Sequence, residues 1–246
     1  MAMHKAWTWI GAFGPDLMLC AATARVGVAR TAWWAVWDGA RLHERTYRRA
    51  RPAAAAGGLG SGSAGHVGPV AVDTHRVRVP GVLDLAVAPG AAWAARDAVS
   101  ETRKRPARVV GSALDRPVDL PGLVDESAGR HARVTEWWWC AGAGVLADGR
   151  AATWNLVDGL HDGQEASERC VWIDGVPHHV APQAFHRFAG VGELRFTPLA
   201  TRARRERLIV VSSDYEQPFG TFAGALPVAG ELRVGWGVME RHHARW

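Results

Sequence analysis

The sequence predicts an all-β protein assembled from two related antiparallel β units, barrels or half-barrels packed together. Three observations carry this expectation. Short apolar runs are broken throughout by Gly, Asp-Gly and Pro, and segments with helical periodicity are hard to find. Asp-Gly recurs at 38–39, 148–149, 158–159, 162–163 and 174–175. Between apolar runs this dipeptide favours a tight hairpin, because both residues tolerate positive φ. The halves also echo one another: WTWIGAFG (7–14) precedes AVWDG (35–39), and WWWCAGAG (137–144) precedes VWIDG (171–175).

Along the chain, a strand is expected at 16–26 and a hairpin at 34–47. RPAAAAGGLGSGSAGHVGP (51–69) is small-residue-rich and aperiodic, and reads as a long flexible loop. A strand region follows at 75–87. SALDRPVDLPGLVDESAGRH (112–131) is polar and proline-rich and reads as the connection between halves, which places the two units at 1–118 and 119–246. Hairpins are expected at 137–157 and 169–180, then strands at 193–199, 207–215, 219–226 and 231–239. Strands this closely spaced suit a sandwich or barrel.

Composition narrows the function. A chain of 246 residues buries a core without needing disulfides or metal. The net charge of +5 rests almost wholly on arginine, with Lys5 and Lys104 the only lysines. The basic runs 45–51, 103–108 and 202–207 are short and interrupted. They read as a solvated arginine surface rather than a stripe that follows a phosphate backbone, so no nucleic-acid partner is expected. Cys20, Cys140 and Cys170 are odd in number and form no C-x-x-C, which argues against a disulfide framework or zinc site. No secretion signal is evident, since Leu19 is too bulky before Cys20 for a lipoprotein site, and no apolar run reaches bilayer length. A cytoplasmic protein without a membrane span is expected; its oligomeric state is not written in the sequence.

No cofactor or metal is expected either. GSGSAG (60–65) fits G-x-G-x-x-G but has no strand before it or helix after it, and no P-loop, G-x-S-x-G or H-E-x-x-H occurs. The adjacent pairs His178–His179 and His242–His243 point to opposite faces of a strand and cannot chelate one ion from it.

The candidate chemistry comes from strand parity. In ELRVGWGVMERHHARW (231–246), Leu232, Val234, Trp236 and Val238 share the face expected to be buried, and Glu240 and His242 continue it. Glu231, Arg233, Gly235 and Gly237 share the other. In SERCVWID (167–174), Glu168, Cys170 and Trp172 align; in ATWNLVDG (152–159), Trp154, Leu156 and Asp158 oppose Asn155 and Val157. A carboxyl facing inward among tryptophans loses solvation, and its pKa rises toward neutrality. The candidate catalytic set is therefore Glu240 as acid, His242 as base or relay, and Glu168 or Asn155 orienting. The competing reading places Glu240 and His242 at a barrel rim and pairs Glu168 with an interior arginine. His161 and Asp162 read as solvated turn residues. The thirteen tryptophans suit a lined cavity or an ordinary core. Trp139, Trp154, Trp172 and Trp236 are the candidate ligand-lining set, and the run Trp137–Trp138–Trp139 must serve both faces.

WNLVDGLHD and ASERCVWIDGVPH, then LRFTP, YEQPFGTFAGALP and GWGVMERHHARW, resemble a domain-of-unknown-function family, and WTWIGAFGPDLMLCAATARVG with WWAVWDGARLHER is similar to its N-terminal part. That family is more distantly similar to the hydroxyneurosporene synthase and AttH-like group. The resemblance implies tandem lipocalin-like, calycin-type barrels. It further implies cofactor-independent chemistry on apolar polyenes (water addition or cyclisation) using interior acids and aromatics. His243 stands where the family pattern suggests an acid. Against the family the N-terminus is short, and a missing first strand would leave the first barrel open. The function expected is binding of an apolar small molecule in a tryptophan-lined pocket. The two alternatives are an acid/base enzyme for hydration, cyclisation or isomerisation, and an interaction protein with a filled core.

Overall fold

The computed structural model describes residues 3–50, 65–163, 167–207 and 212–245. Most of the loop expected at 51–69, and all but the last glycine of the G-x-G-x-x-G match, lie outside the described residues. Residues 65–67 form a strand.

The first sheet contains β1 (Met3–Phe13), β2 (Met18–Val26), β3 (Ala29–Trp37), β4 (Leu42–Ala50), β5 (Gly65–Val67), β6 (Val70–Asp73), β7 (Arg76–Val79), β8 (Leu83–Pro89), β9 (Trp93–Arg96), β10 (Ser100–Ala113) and β11 (Arg116–His131). Its order is β4-β3-β2-β1-β11-β10-β8-β7-β6-β5, with β9 on β10, and every pair is antiparallel. β5 approaches β4, so the sheet is a nearly closed barrel. The second sheet contains β12 (Val134–Leu146), β13 (Ala151–Asp158), β14 (Cys170–Ile173), β15 (Val176–His179), β16 (Gly190–Val191), β17 (Leu194–Arg207), β18 (Ser212–Leu226) and β19 (Gly230–Arg245), in the order β15-β14-β13-β12-β19-β18-β17-β16. The expected all-β, lipocalin-like pair of antiparallel sheets is what forms. The sequence echo is also structural, since β1 to β3 and β12 to β14 are successive neighbours in their own sheets.

The expected connection at 112–131 is instead the end of β10 and the whole of β11. Thus residues 119–131 belong to the first sheet, and the chain crosses to the second at Ala132–Arg133 rather than at 118–119. The prolines that suggested a linker lie where β11 has outrun β1. Ala12 pairs with Gly122, so Pro117 and Pro121 have β10 on one side and no β1 on the other, an edge where a missing N–H costs little. The strand expected at 207–215 is divided between the end of β17 and the start of β18, with 208–211 outside the described residues.

The described residues form three cores. Ile10, Leu19, Val36, Leu85 and Val109 fill the first barrel; Leu156, Val171, Phe196, Phe222 and Met239 fill the second. The third lies between the sheets, where Trp9, Phe13, Met18 and Trp37 meet Trp139, Trp172, Phe219 and Val238. β12, β13 and β19 therefore bury both faces, which is why their sequences are apolar at successive positions. The parity expected for β19 holds only from Val234 onward. Val145 faces Val234 but Leu146 faces Leu232, so Arg233 is an extra, bulged residue. The bulge turns Leu232 into the second barrel, away from Trp236 and Val238.

The face given to Gly235 and Gly237 is buried too, with Met239. Gly142 and Gly237 are register partners, and the Trp154 ring lies where a Cβ on Gly142 would project. A Cβ on Gly237 would lie 2.1 Å from the Ala141 carbonyl oxygen and 2.6 Å from the Gly142 Cα, which are backbone atoms unable to swing aside. Gly237→Ala is expected to cost about 2 kcal/mol or more in urea unfolding. A change within about 0.5 kcal/mol would show that the strands part freely.

Candidate functional site

The seam between the sheets is apolar at its centre and polar where β10, β11, β18 and β19 run past it. Both lysines of this arginine-dominated chain are there: Lys5 is 4% exposed and Lys104 1%. Two clusters surround them.

The first is built on β19 and β18. Glu240 is buried. Trp137 Nε1–H donates to its Oε1 at 3.0 Å and Gln217 Nε2 donates to its Oε2 at 2.9 Å. The Cys20 thiol donates to Gln217 Oε1 at 3.5 Å, so the first barrel helps to orient the amide. Burial pushes the Glu240 pKa up to about 7, with the Trp137 and Tyr215 donors pulling the other way. Arg202 lies 4.8 Å over the Tyr215 ring and 5.4 Å from Trp33, held by Glu44 at 3.0 Å and Thr46 at 3.0 Å. His242 shares Glu240's face, as parity predicts, but the Trp137 indole stands between them: its N–H serves Glu240 and its ring lies 4.4 Å from the His242 ring. His242 Nε2 is 2.8 Å from Ser213 Oγ. Burial lowers its pKa to about 3, so it is a neutral, weakly basic imidazole at neutral pH.

The second cluster joins β10 and β11 to the segment between β13 and β14. Lys104 Nζ pairs with Asp125 and lies 3.2 Å from Glu168 Oε2. Trp7 Nε1–H donates to Asp125 at 3.4 Å. Burial alone would raise the Glu168 pKa, but Lys104 and His161 outweigh it and hold the carboxylate charged. Asp125 goes the other way, raised by burial and by the Glu168 charge despite Lys104. Burial opposes charge on Lys104, yet its two carboxylates win and raise its pKa. Asn155 does not touch the Glu168 carboxylate. Its Nδ2 donates to the Glu168 backbone oxygen at 2.9 Å, and its Oδ1 accepts from Trp139 Nε1 at 2.7 Å. The partner of Glu168 is thus a lysine rather than an arginine. His161, expected in a solvated turn, has a side chain only 5% exposed.

Of the four ligand-lining candidates, Trp139 and Trp172 are in the seam and half-buried Trp236 packs against it, while Trp154 is inside the second barrel. Trp154 and Asn155 are consecutive strand residues and point to opposite sides. Trp139 meets Trp9 edge-on at 5.0 Å, and Trp138 turns away from its neighbours onto Phe188 at 5.2 Å. These rings contact protein. Two open clefts border the clusters instead. One of about 540 Å³ is lined by His4, Arg96, Asp97, Val99, Ser100 and Arg130 among others. One of about 270 Å³ is lined by Glu44, Arg45, Thr46, Arg202, Ala203 and Arg204. Sequence reasoning missed Ser100, Lys104 and Asp125. The rarity of lysine was the available signal, because lysine is the basic residue whose charge can be tuned by burial.

His243 lies 3.3 Å from Glu136. Among the described residues no three His, Cys, Asp or Glu side chains are gathered to hold a metal, and no helix is long and apolar enough to cross a membrane.

Solved structures with this architecture include an AttH-type protein from Nitrosomonas europaea, 13% identical with a TM-score of 0.55, covering 97% of this chain and 92% of that one. Also similar are kievitone hydratase from Nectria haematococca (10% identity, TM-score 0.47, 96% and 88% covered) and CghA (9%, 0.45, 99% and 88%). The AttH-type likeness runs through both sheets and establishes the fold. No curated protein sequence matches the chain. Residues 112–246, over half the chain, match the family model described as Domain of unknown function (DUF2804), and the chain belongs to that family.

Proposed function

We propose that the protein carries out cofactor-independent proton transfer on an apolar small molecule at the seam between its two β units, a hydration, cyclisation or isomerisation. Glu240 is the proton donor. The observation that carries this reading is the Glu240 carboxyl itself: buried among aromatics, oriented on both oxygens, and balanced between its two protonation states near neutral pH. A carrier needs apolar lining and no such acid. Half-buried Trp137, whose N–H it accepts, and Trp33, 5.4 Å from Arg202, offer aromatic surface on this side of the seam. His242 positions the Trp137 indole rather than accepting the proton, and Asn155 and Glu168 hold the adjoining wall.

The basic runs support a small-molecule partner over a nucleic acid. Their arginines are engaged by neighbouring acids, as in Arg48 with Glu206, Arg205 with Asp214, Arg105 with Glu126 and Arg108 with Asp119. The three buried free cysteines suit a reducing compartment such as the cytoplasm.

Native mass spectrometry of the purified protein, with extraction of the compound that travels with it, tests the reading. Wild type is expected to bind and convert that compound, and Glu240→Gln to bind it but convert it about 10²-fold more slowly or worse. Binding without conversion by either protein would leave a carrier. An empty protein that also ignores apolar dyes would leave the interaction-protein reading.

A further inference from the structure

Ser100 begins β10 after a tight turn. Asp97 Oδ1 accepts the backbone N–H of Val99 at 2.8 Å and of Ser100 at 2.7 Å, which fixes the turn and aims the serine side chain. Across the ladder is Gly129, where a Cβ would come within 2.4 Å of the Ser100 Cα and Cβ. From the other sheet comes His161, a non-glycine residue in the left-handed region at φ +47°, a conformation that costs energy and that its surroundings must enforce. Its Nε2 is 2.9 Å from Ser100 Oγ. Its Nδ1 is 3.4 Å from Glu168 Oε2, an ion-pair approach in which, among the described residues, neither atom makes a hydrogen bond at rest. Lys104, 3.2 Å from that same oxygen, keeps Glu168 charged. Ser100 and Asp97 line the 540 Å³ cleft together with Arg96 and Arg130.

We propose that Ser100, His161 and Glu168 form a nucleophile, base and orienting carboxylate that hydrolyse small carboxylic esters entering this cleft. The geometry meets the requirement of such a set, a serine within hydrogen-bond reach of an imidazole whose other nitrogen faces a carboxylate. Ser100 Oγ bonds to the ester carbonyl carbon while its proton passes to His161 Nε2. The carbon–alkoxy bond breaks, and the alcohol leaves with that proton. Water then adds to the acyl carbon, giving a proton to His161. The carbon–Oγ bond breaks, Oγ recovers the proton, and the acid departs. Arg130 supplies positive charge on the cleft for the carbonyl oxygen; Arg96, also on the cleft, is held by Glu101 at 2.6 Å. Asp97 Oδ2, 2.8 Å from Oγ, competes with His161 for the hydroxyl proton and restrains the nucleophile at rest. The site draws on both sheets and exists only when they are packed. It does not involve Glu240, so it stands or falls apart from the reaction proposed above.

The test uses the full chain, a fluorophosphonate probe and p-nitrophenyl acetate. Wild type is expected to take one label, found on the Ser100 peptide by mass spectrometry, and to hydrolyse the ester. Ser100→Ala, folded by its circular-dichroism melt, should lose the label and about 10²-fold or more of kcat/KM. Asp97→Asn keeps a carbonyl acceptor for the turn and removes the competing acceptor for the hydroxyl proton, so it should label several-fold faster. Label on another residue, or no label on wild type and Asp97→Asn alike with hydrolysis no greater than that of Ser100→Ala, overturns the proposal.

Discussion

Lys104→Met is expected to destabilise the protein by about 3–5 kcal/mol at neutral pH. The ammonium is buried between Asp125 and Glu168, and methionine of similar length fills its space without its charge. The two carboxylates are then left facing one another away from water. The loss measured is mostly the cost of those uncompensated charges and not the net value of the original pair. Two further results should accompany it. The defect should shrink as pH falls and the carboxylates protonate. Adding Asp125→Asn and Glu168→Gln should recover much of the stability, since a fully neutral cluster carries no unpaired charge. Urea unfolding with an unchanged slope and a shifted midpoint is the measurement. A loss under about 1 kcal/mol would mean that the cluster behaves as a solvated surface pair.

The second large effect is a pH dependence. The Glu240 pKa is raised from 4.5 to about 7 in the folded protein. Between those values the native state holds a proton that the unfolded chain has released, so stability from this group is complete below the lower value and is lost as pH rises through the upper one. The size is about 3 kcal/mol. His242, lowered to about 3, and His131, lowered to about 4, act in the opposite sense. The unfolded chain binds their protons below pH 6.5 and the native state does not, so their contribution is lost as pH falls. The wild-type profile mixes the two effects. Glu240→Gln isolates one: the stability of the variant minus that of wild type should rise by about 3 kcal/mol from pH 4.5 to pH 8. Parallel profiles would show that Glu240 is an ordinary solvated carboxylate and would remove its candidacy as the acid.

Parts of this site were legible. Glu240 and His242 lie on one face of β19 because that strand is regular from Val234 onward, and alternation carries over such a stretch without error. The Asp-Gly turns located the β3–β4, β12–β13 and β14–β15 hairpins for the same local reason: Asp174 and Gly175, at φ +47° and +81°, adopt the backbone such a turn requires. Other parts were hidden. The bulge at Arg233 reversed Leu232, and one inserted residue leaves no compositional mark. β10 and β11 read as a basic run and a proline-rich linker, because beside Leu123 they bury the polar Thr102, Lys104, Asp125 and Ser127. His161 read as a solvated turn because its neighbours in sequence are Asp and Gly; the cover comes from Ser100 and His131 of the other sheet.

The sequence alone determined the strands, most of their hairpins and the side of β19 on which its acid lies, because pleat and turn are set by neighbours a few residues apart. Only the tertiary structure decided that the outer face of each barrel would be buried against the other. That packing takes Glu240 and Lys104 out of water and brings Ser100 to His161, and long-range burial of this kind has no period from which it could be read.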